Sequence, residues 1–306
     1  MTRKHINNTI TDTFSIGLIN ISLSYPAHEK IIIDRAMRNF SASHHSEPDI
    51  SFTLNCAPPT IPDGVRELFT TAPTGLWRIF DYPAAGEYII ALQNMERDHH
   101  PYKVVHADRE FKKFNIFSEP IRDGAYVPLE YPLDELAISG YLNLNQVGII
   151  LHAACVSING VGVLFSGTSG SGKSTISELF MKENTAEVLT DERVIIRKHE
   201  GKLWAFGTPW HGTAEVHKNA GAVIEKIFFI KHGRRNHART IPVLDAANRL
   251  MVRCFPTFWN REGMEFAVSF CSTVAEKTAC YDLEFLPDMS VVEYIKGVSP
   301  LDYEKV

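Results

Sequence analysis

The chain has 306 residues, of which 44% are hydrophobic and 22% charged, and its formal net charge is -5 at pH 7. This composition is typical of a globular protein with a real core, in one large domain or two of ordinary size. The negative charge argues against general attraction to nucleic acid, and no stretch approaches the roughly 20 apolar residues of a membrane helix. The start of the chain lacks the apolar run of a signal peptide, so we expect a cytoplasmic protein with neither a nucleic-acid nor a membrane partner.

The chain up to about residue 130 is predicted to be a mostly antiparallel β region. Short segments rich in β-branched and aromatic residues are separated by Pro, Gly or Asp clusters, which is the pattern of strands and turns. The segment 29–40 is the exception and is predicted to be helical. Asp98 with His99 and His100 is interpreted as an exposed turn rather than a metal site. We expect residues 1–130 to serve substrate recognition or an oligomer contact.

From Pro132 onward the pattern predicts an α/β domain that spans residues 131–306. Residues 132–146 have helical spacing, and two apolar runs then meet at Asn159-Gly160, which is a strong hairpin signal. An amphipathic helix follows near residue 176, and three strands and a further apolar run come after it. Helices are then predicted around 242–253 and 263–279, a strand at 281–286 and a last helix at 290–296. The basic segment from Lys231 to Arg239 is interpreted as a solvated loop, with contact to an acidic peptide or a nucleotide as the alternative.

A glycine-rich segment between an apolar strand and an amphipathic helix fits the pattern G-x-x-x-x-G-K-[S/T]. Glycines let successive backbone N–H groups point at phosphate oxygens, and the following helix adds its positive N-terminal end. The pattern places the lysine on the β- and γ-phosphates and the next serine hydroxyl on Mg²⁺. We therefore expect ATP and Mg²⁺ to be bound by Gly167, Thr168, Ser169, Gly170, Ser171, Gly172, Lys173, Ser174 and Thr175.

Two adjacent acidic residues, Asp191 and Glu192, follow the helix of this loop at the end of a predicted strand. Two carboxylates there suit two tasks, one orienting the magnesium shell and one accepting a hydroxyl proton. An exposed turn is the alternative for such a doublet by itself. The segment before it is a poor match to a mechanical ATPase, and no guanine-reading Asn-Lys-x-Asp motif occurs.

His152, the phosphate loop, the acidic doublet and the segment GTPWHGTAEVH resemble HPr kinase/phosphorylase in their order along residues 132–295. The resemblance implies a P-loop core of the type shared with phosphoenolpyruvate carboxykinases. It implies catalytic roles for His152, Lys173 and His211, with either Asp191 or Glu192 as the base. It also implies a metal site made by Ser174, Asp191 and Glu215. Arg253 and Arg261 are weak candidates for the family's later catalytic arginine.

Thr175 replaces a glutamate usual in bifunctional HPr kinases, and the first half of the chain differs from their N-terminal domain. The chain is more similar to the HPr-kinase-like enzymes of peptide-modification clusters, such as lasso-peptide kinases. That similarity implies phosphorylation of a serine in a peptide or protein, with a ribosomal peptide precursor as one candidate. The alternatives are a kinase of a free amino acid or sugar and a nucleotide-binding regulator that hydrolyses ATP slowly. The family enzymes are often hexameric, so a homo-oligomer is also compatible with the resemblance.

Overall fold

The computed structural model describes residues 9–43, 47–71, 75–93, 100–121 and 123–298. Asp98 and His99 of the expected exposed turn lie outside these residues. The chain forms two compact units, of which the first comprises Met1–Asn145 and Thr257–Arg261 and the second comprises Gln146–Pro256 and Glu262–Val306. The first unit thus extends past residue 130, where the sequence suggested a boundary. Both large sheets and a few helices are present, which makes the chain a mixed α/β protein.

Most strands of the first unit belong to one eight-stranded sheet. Its order is β1-β2-β4-β9-β8-β7-β6-β5, formed by β1 (Thr9–Ile16), β2 (Ile19–Pro26), β4 (Ile50–Asn55), β5 (Arg66–Thr70), β6 (Trp77–Tyr82), β7 (Glu87–Gln93), β8 (Pro101–Asp108) and β9 (Lys113–Ser118). The pair of β3 (Lys30–Ile31) and β10 (Ala125–Tyr126) lies apart from it. The sheet is antiparallel as expected except at β4, which runs parallel to both β2 and β9.

The helix predicted for residues 29–40 was wrong over most of its length. Only α1 (Arg35–Arg38) is helical, and β3 occupies part of the segment before it. The β-branched run Ile31–Ile33 favours extended backbone, and the Asp34 carboxylate caps the short helix by accepting a hydrogen bond from Ala36 N at 2.7 Å. The predicted helix after Pro132 is present as α2 (Leu133–Leu144), and its acidic first turn suits a helix N-terminus.

Five strands of the second unit form a closed ring of paired strands in the order β12-β11-β14-β15-β16, because β16 also pairs with β12. Two further strands, β18 and β17, extend the sheet from β16, and β13 pairs with β11. The strands are β11 (Gly148–Ile158), β12 (Val161–Ser166), β13 (Ala186–Thr190), β14 (Arg193–His199), β15 (Lys202–Phe206), β16 (Gly221–His232), β17 (His237–Thr240) and β18 (Ala279–Phe285).

The expected hairpin of β11 and β12 is confirmed. The two strands are antiparallel, and both turn residues have positive φ, 51° at Asn159 and 84° at Gly160. This is the geometry that favours Asn-Gly between strands. The interpretation of residues 231–239 as loop was wrong at both ends, because Lys231 and His232 belong to β16 and the last three residues belong to β17, which pairs with β18.

Four helices cover the sheet of the second unit on its two faces. One hydrophobic cluster contains residues of α4 (Val243–Met251) and α5 (Arg261–Lys277), and another contains residues of α3 (Lys173–Phe180) and α6 (Ser290–Gly297). Alternate residues of β11 supply the two clusters: Leu151 and Ala153 belong to the first, and Ala154 and Val156 to the second. Within the described part of the chain, no helix is long and apolar enough to cross a membrane.

Candidate active site

The glycine-rich segment forms the connection between the end of β12 and the start of α3. Gly170 and Gly172 have φ values of 77° and 100°, which favour glycine, and Gly172 is the N-cap of α3. A Cβ on Gly172 would lie 2.5 Å from Phe285 Cζ, so glycine is required there for space as well as for conformation. The local geometry is therefore a strand, a tight glycine-rich loop and a helix.

Two polar side chains of this loop are buried. Lys173 is 7% exposed, and its ammonium donates a hydrogen bond to Gly167 O at 3.2 Å. Ser171 is 8% exposed, and its hydroxyl has no hydrogen-bond partner among the described residues. A buried hydroxyl without a partner costs free energy, and an anion in the loop would supply the acceptor. Thr168, Ser169 and Gly170 are exposed.

The acidic doublet connects β13 to β14, and both of these strands pair with β11. Asp191 is fully buried, so the alternative of an exposed turn does not hold for this residue. Its two carboxylate oxygens accept hydrogen bonds from the backbone N–H groups of Gly212 and Ala214, each at 2.9 Å. Asp191 therefore holds the segment that follows Trp210 in place.

Glu192 is partly buried and lies among basic groups. Its Oε1 is 3.4 Å from His152 Nδ1 and 3.2 Å from an Arg193 guanidinium nitrogen. Its backbone carbonyl accepts a hydrogen bond from Ala153 N at 3.1 Å, which ties the doublet to β11. These contacts bring His152 and Glu192 together, although the two residues are distant in the sequence.

The electrostatics connect these residues to the lysine of the loop. Burial lowers the pKa of Lys173, the carboxylates of Glu192 and Asp191 oppose that shift, and the positive charge of Arg253 adds to it. Burial also lowers the pKa of His152, and Lys173 contributes in the same direction. The charges of Glu192 and Asp191 therefore act on Lys173, and the charge of Lys173 acts on His152.

Arg253 is a feature of this site for which the sequence supplied only a weak indication. Its backbone carbonyl accepts a hydrogen bond from His152 N at 2.8 Å, next to the bridge between Leu151 and Cys254. Burial lowers the pKa of the Arg253 guanidinium, and its Nε is buried without a hydrogen-bond partner in the described ranges. Arg261, the other candidate, belongs to the first unit.

The segment around His211 packs closely against the site. A Cβ on Gly212 would lie 2.8 Å from an Asp191 carboxylate oxygen, so this glycine permits the close approach. His211 itself is exposed, with its ring centroid 5.3 Å from that of His217. Trp210, which the sequence suggested as a flat surface, is buried.

Glu215 is exposed, and its carboxylate has no hydrogen-bond or ion-pair partner among the residues described. In the same residues no group of three or more His, Cys, Asp or Glu side chains forms a metal cluster. Mg²⁺ that binds with a nucleotide takes most of its ligands from phosphates and water, so one or two carboxylates suffice. Asp191 has the oxygen ligands for such a role, and the metal roles of both Asp191 and Glu215 stay predictions.

A scan against protein-family models and a search of curated proteins find no match. Among solved structures, the chain is similar to the Hpr(Ser) kinase/phosphatase from Coxiella burnetii, with a TM-score of 0.28 and 10% identity. The match covers 51% of this chain and 92% of the other. A TM-score this low assigns neither the fold nor the activity, so the resemblance to HPr kinase/phosphorylase stays a prediction.

Proposed function

We propose that this protein is an ATP- and Mg²⁺-dependent phosphotransferase that phosphorylates a hydroxyl group, that of a serine in a peptide or protein. The observation that carries the proposal is the position of Lys173. It is buried at the end of a glycine-rich loop, as the first residue of α3, and the carboxylates of Asp191 and Glu192 lie within its electrostatic range. Phosphoryl transfer requires groups that bind the phosphates next to acidic residues that hold the metal and accept the hydroxyl proton.

The loop supplies the groups that bind the triphosphate. Its backbone N–H groups, the Lys173 ammonium and the unpartnered Ser171 hydroxyl are donors for phosphate oxygens. Ser174 and Asp191 are the oxygen ligands that we assign to Mg²⁺, which prefers such donors. These groups would hold the γ-phosphoryl group of Mg·ATP at this loop. Since little covalent chemistry is asked of the protein, positioning and charge neutralisation are its main contributions.

We assign the base role to Glu192 rather than Asp191. Both oxygens of buried Asp191 accept hydrogen bonds from backbone N–H groups, which fixes the side chain against the segment at Gly212. Each oxygen keeps a lone pair for Mg²⁺, but the carboxylate cannot turn toward an acceptor hydroxyl. Glu192 is partly exposed, and its Oε1 contacts His152 and Arg193. Its Oε2, which borders Gly212 on the segment of His211, is the oxygen that we assign to the acceptor hydroxyl. His152 then orients Glu192, and His211 on the exposed segment helps to hold the reacting groups in line.

The proposal is tested with γ-labelled ATP, Mg²⁺ and three acceptor conditions: serine-containing peptides encoded near the gene, free serine, and no acceptor. Label in a peptide serine supports the proposal. Label in free serine alone indicates a small-molecule kinase, and label in free phosphate alone indicates a nucleotide-hydrolysing regulator.

The matched variants for that assay are Lys173→Met and Lys182→Met. Methionine keeps the buried hydrocarbon of Lys173 and removes the charge that binds phosphate, so we expect no transfer with the fold intact. Lys182 is exposed just after α3, and its replacement should leave transfer unchanged. Normal transfer by Lys173→Met would contradict the assignment of the loop as the catalytic centre.

A further inference from the structure

The basic segment from Lys231 to Arg239 has no part in the site as described so far, yet its beginning contacts the phosphate loop. Strand β16, which runs parallel to β12, ends at His232. The imidazole Cε1 of His232 lies 2.9 Å, and its Nε2 3.1 Å, from the place that a Cβ on Gly172 would occupy. The ring of His232 therefore borders the loop directly at the residue before Lys173.

The His232 ring has a firm support on one side. Its centroid is 4.9 Å from that of Phe285, with an interplanar angle of 34°, and Phe285 is fully buried. His232 itself is exposed. One face of the imidazole is thus backed by the core of the second unit, which leaves the opposite side of the ring toward solvent.

The turn that follows His232 is held in place by three hydrogen bonds. Gly233 N donates to Phe285 O at 3.0 Å, and Leu286 N donates to Asn236 Oδ1 at 2.8 Å. The Asn236 amide also donates to Ser290 Oγ at 2.7 Å. The ring and the turn are therefore organised before any ligand arrives, which reduces the entropy cost of binding.

Two positive charges of the segment form ion pairs, and two, those of Arg234 and Arg235, form none with the residues described. Lys231 forms an ion pair with Glu284 at 2.8 Å, and Arg239 forms one with Asp282 at 3.1 Å. Arg234, in the turn next to His232, makes no ion pair or side-chain hydrogen bond with any part of the chain that the structure describes. The turn that follows His232 thus carries two exposed arginines without an ion pair among the described residues.

We propose that the exposed face of His232 is the surface on which the base of the nucleoside triphosphate stacks, with Arg234 adding attraction for its phosphates. The inference rests on the proposed nucleotide-binding function. The base is joined to the phosphates through the ribose, so a supported ring that borders the loop lies within its reach. Flat rings attract bases by stacking regardless of base identity. An acidic peptide would be attracted by the arginines but would gain nothing from a supported ring in contact with Gly172.

Calorimetry with two probes, Mg·ATP and magnesium tripolyphosphate, separates the base from the phosphates. We expect His232→Ala to weaken ATP binding about tenfold, the size of one lost stacking contact, and to leave tripolyphosphate binding unchanged. His232→Phe keeps a stacking ring and should retain ATP affinity close to that of the original protein. His237→Ala removes an exposed imidazole from the same segment and serves as the matched control.

Equal affinity of the unaltered protein for ATP and tripolyphosphate would overturn the inference while leaving the phosphate-binding function in place. So would an equal loss of both affinities in His232→Ala, because the ring would then act by supporting the loop. Absence of binding to either probe would overturn both proposals. Thermal unfolding of each variant verifies that the fold is retained, and His232→Phe remains decisive if the alanine variant is unstable.

Discussion

At the scale of single residues, the two adjacent acids have different surroundings and we expect different losses on charge removal. In Asp191→Asn, an amide N–H₂ replaces one acceptor oxygen and faces a backbone donor. Because a buried hydrogen bond to a charged group is lost, we expect destabilisation of about 2 kcal/mol. Glu192→Gln should retain stability and ATP binding and lose phosphoryl transfer.

Denaturant unfolding, ATP calorimetry and the transfer assay distinguish these two outcomes. If Asp191→Asn were as stable as the unaltered protein and bound ATP without transferring phosphate, Asp191 would be the base instead.

His152 makes stability depend on pH in a definite direction. Burial and the positive charge of Lys173 lower its pKa from the ordinary value of 6.5, so the folded state binds fewer protons than the unfolded state below that pH. Above about pH 6.5 both states are neutral at this residue and the contribution is constant. As the pH falls below 6.5, we therefore expect the folded state to lose stability.

The measurement is the thermal midpoint of the unaltered protein and of His152→Gln between pH 7.5 and pH 5. The unaltered protein should lose more stability on acidification than the variant. Identical slopes for the two proteins would show that His152 protonates as easily in the folded state as in the unfolded state.

At the scale of the elements, the loop between β12 and α3 contains two glycines with positive φ. Comparing their alanine variants distinguishes the cost of backbone strain from the cost of a steric clash. Both Gly170 and Gly172 have positive φ, but a Cβ has nothing within 4 Å at Gly170 and meets Phe285 and His232 at Gly172. We expect Gly170→Ala to cost about 1 kcal/mol, from strain alone. Gly172→Ala should lower the free energy of unfolding distinctly more and also distort the proposed phosphate site.

Unfolding in urea and ATP calorimetry on the two alanine variants make this comparison. Equal stability of the two variants would mean that the rings of Phe285 and His232 move aside without cost. The contact between His232 and Gly172, on which the proposed stacking surface depends, would then be loose.

At the scale of the whole molecule, a short segment late in the chain belongs to the first unit. Trp259 lies edge-on to Trp77, with ring centroids 5.8 Å apart, and Thr257 N donates to Asn143 Oδ1 at 3.1 Å. We expect Trp259→Ala to accelerate hydrogen exchange in β6, β7 and β8, because it removes aromatic packing from the first unit.

Phe266→Ala is the matched control for that variant, since Phe266 is a partly buried aromatic residue packed on the core of the second unit. Hydrogen exchange followed by mass spectrometry should place its effect in strands of the second unit such as β11. An effect of Trp259→Ala confined to the second unit would contradict the division of the chain.

Local patterns in the sequence were enough to predict elements whose structure depends on neighbouring residues. The Asn159-Gly160 hairpin, helix α2 and the strand and helix around the glycine loop follow from turn chemistry and periodicity. The segment 29–40 was mispredicted because its apolar residues fit a helical period, while the β-branched run Ile31–Ile33 prefers extended backbone. The strand β17 was not predicted because its residues lie in a basic segment that lacks the apolar pattern of a strand. Its pairing with β18 makes it a strand.

The sequence by itself determined the glycine-rich loop between β12 and α3, because a glycine-rich turn before a helix needs only adjacent residues to form. Only the tertiary structure decided which distant groups surround that loop. The pairing of β13 and β14 with β11 brings Glu192 to His152, and the parallel strands β12 and β16 bring His232 to Gly172. Such proximities depend on strand register and on the order of strands in the sheet, which the spacing of residues along one chain does not encode.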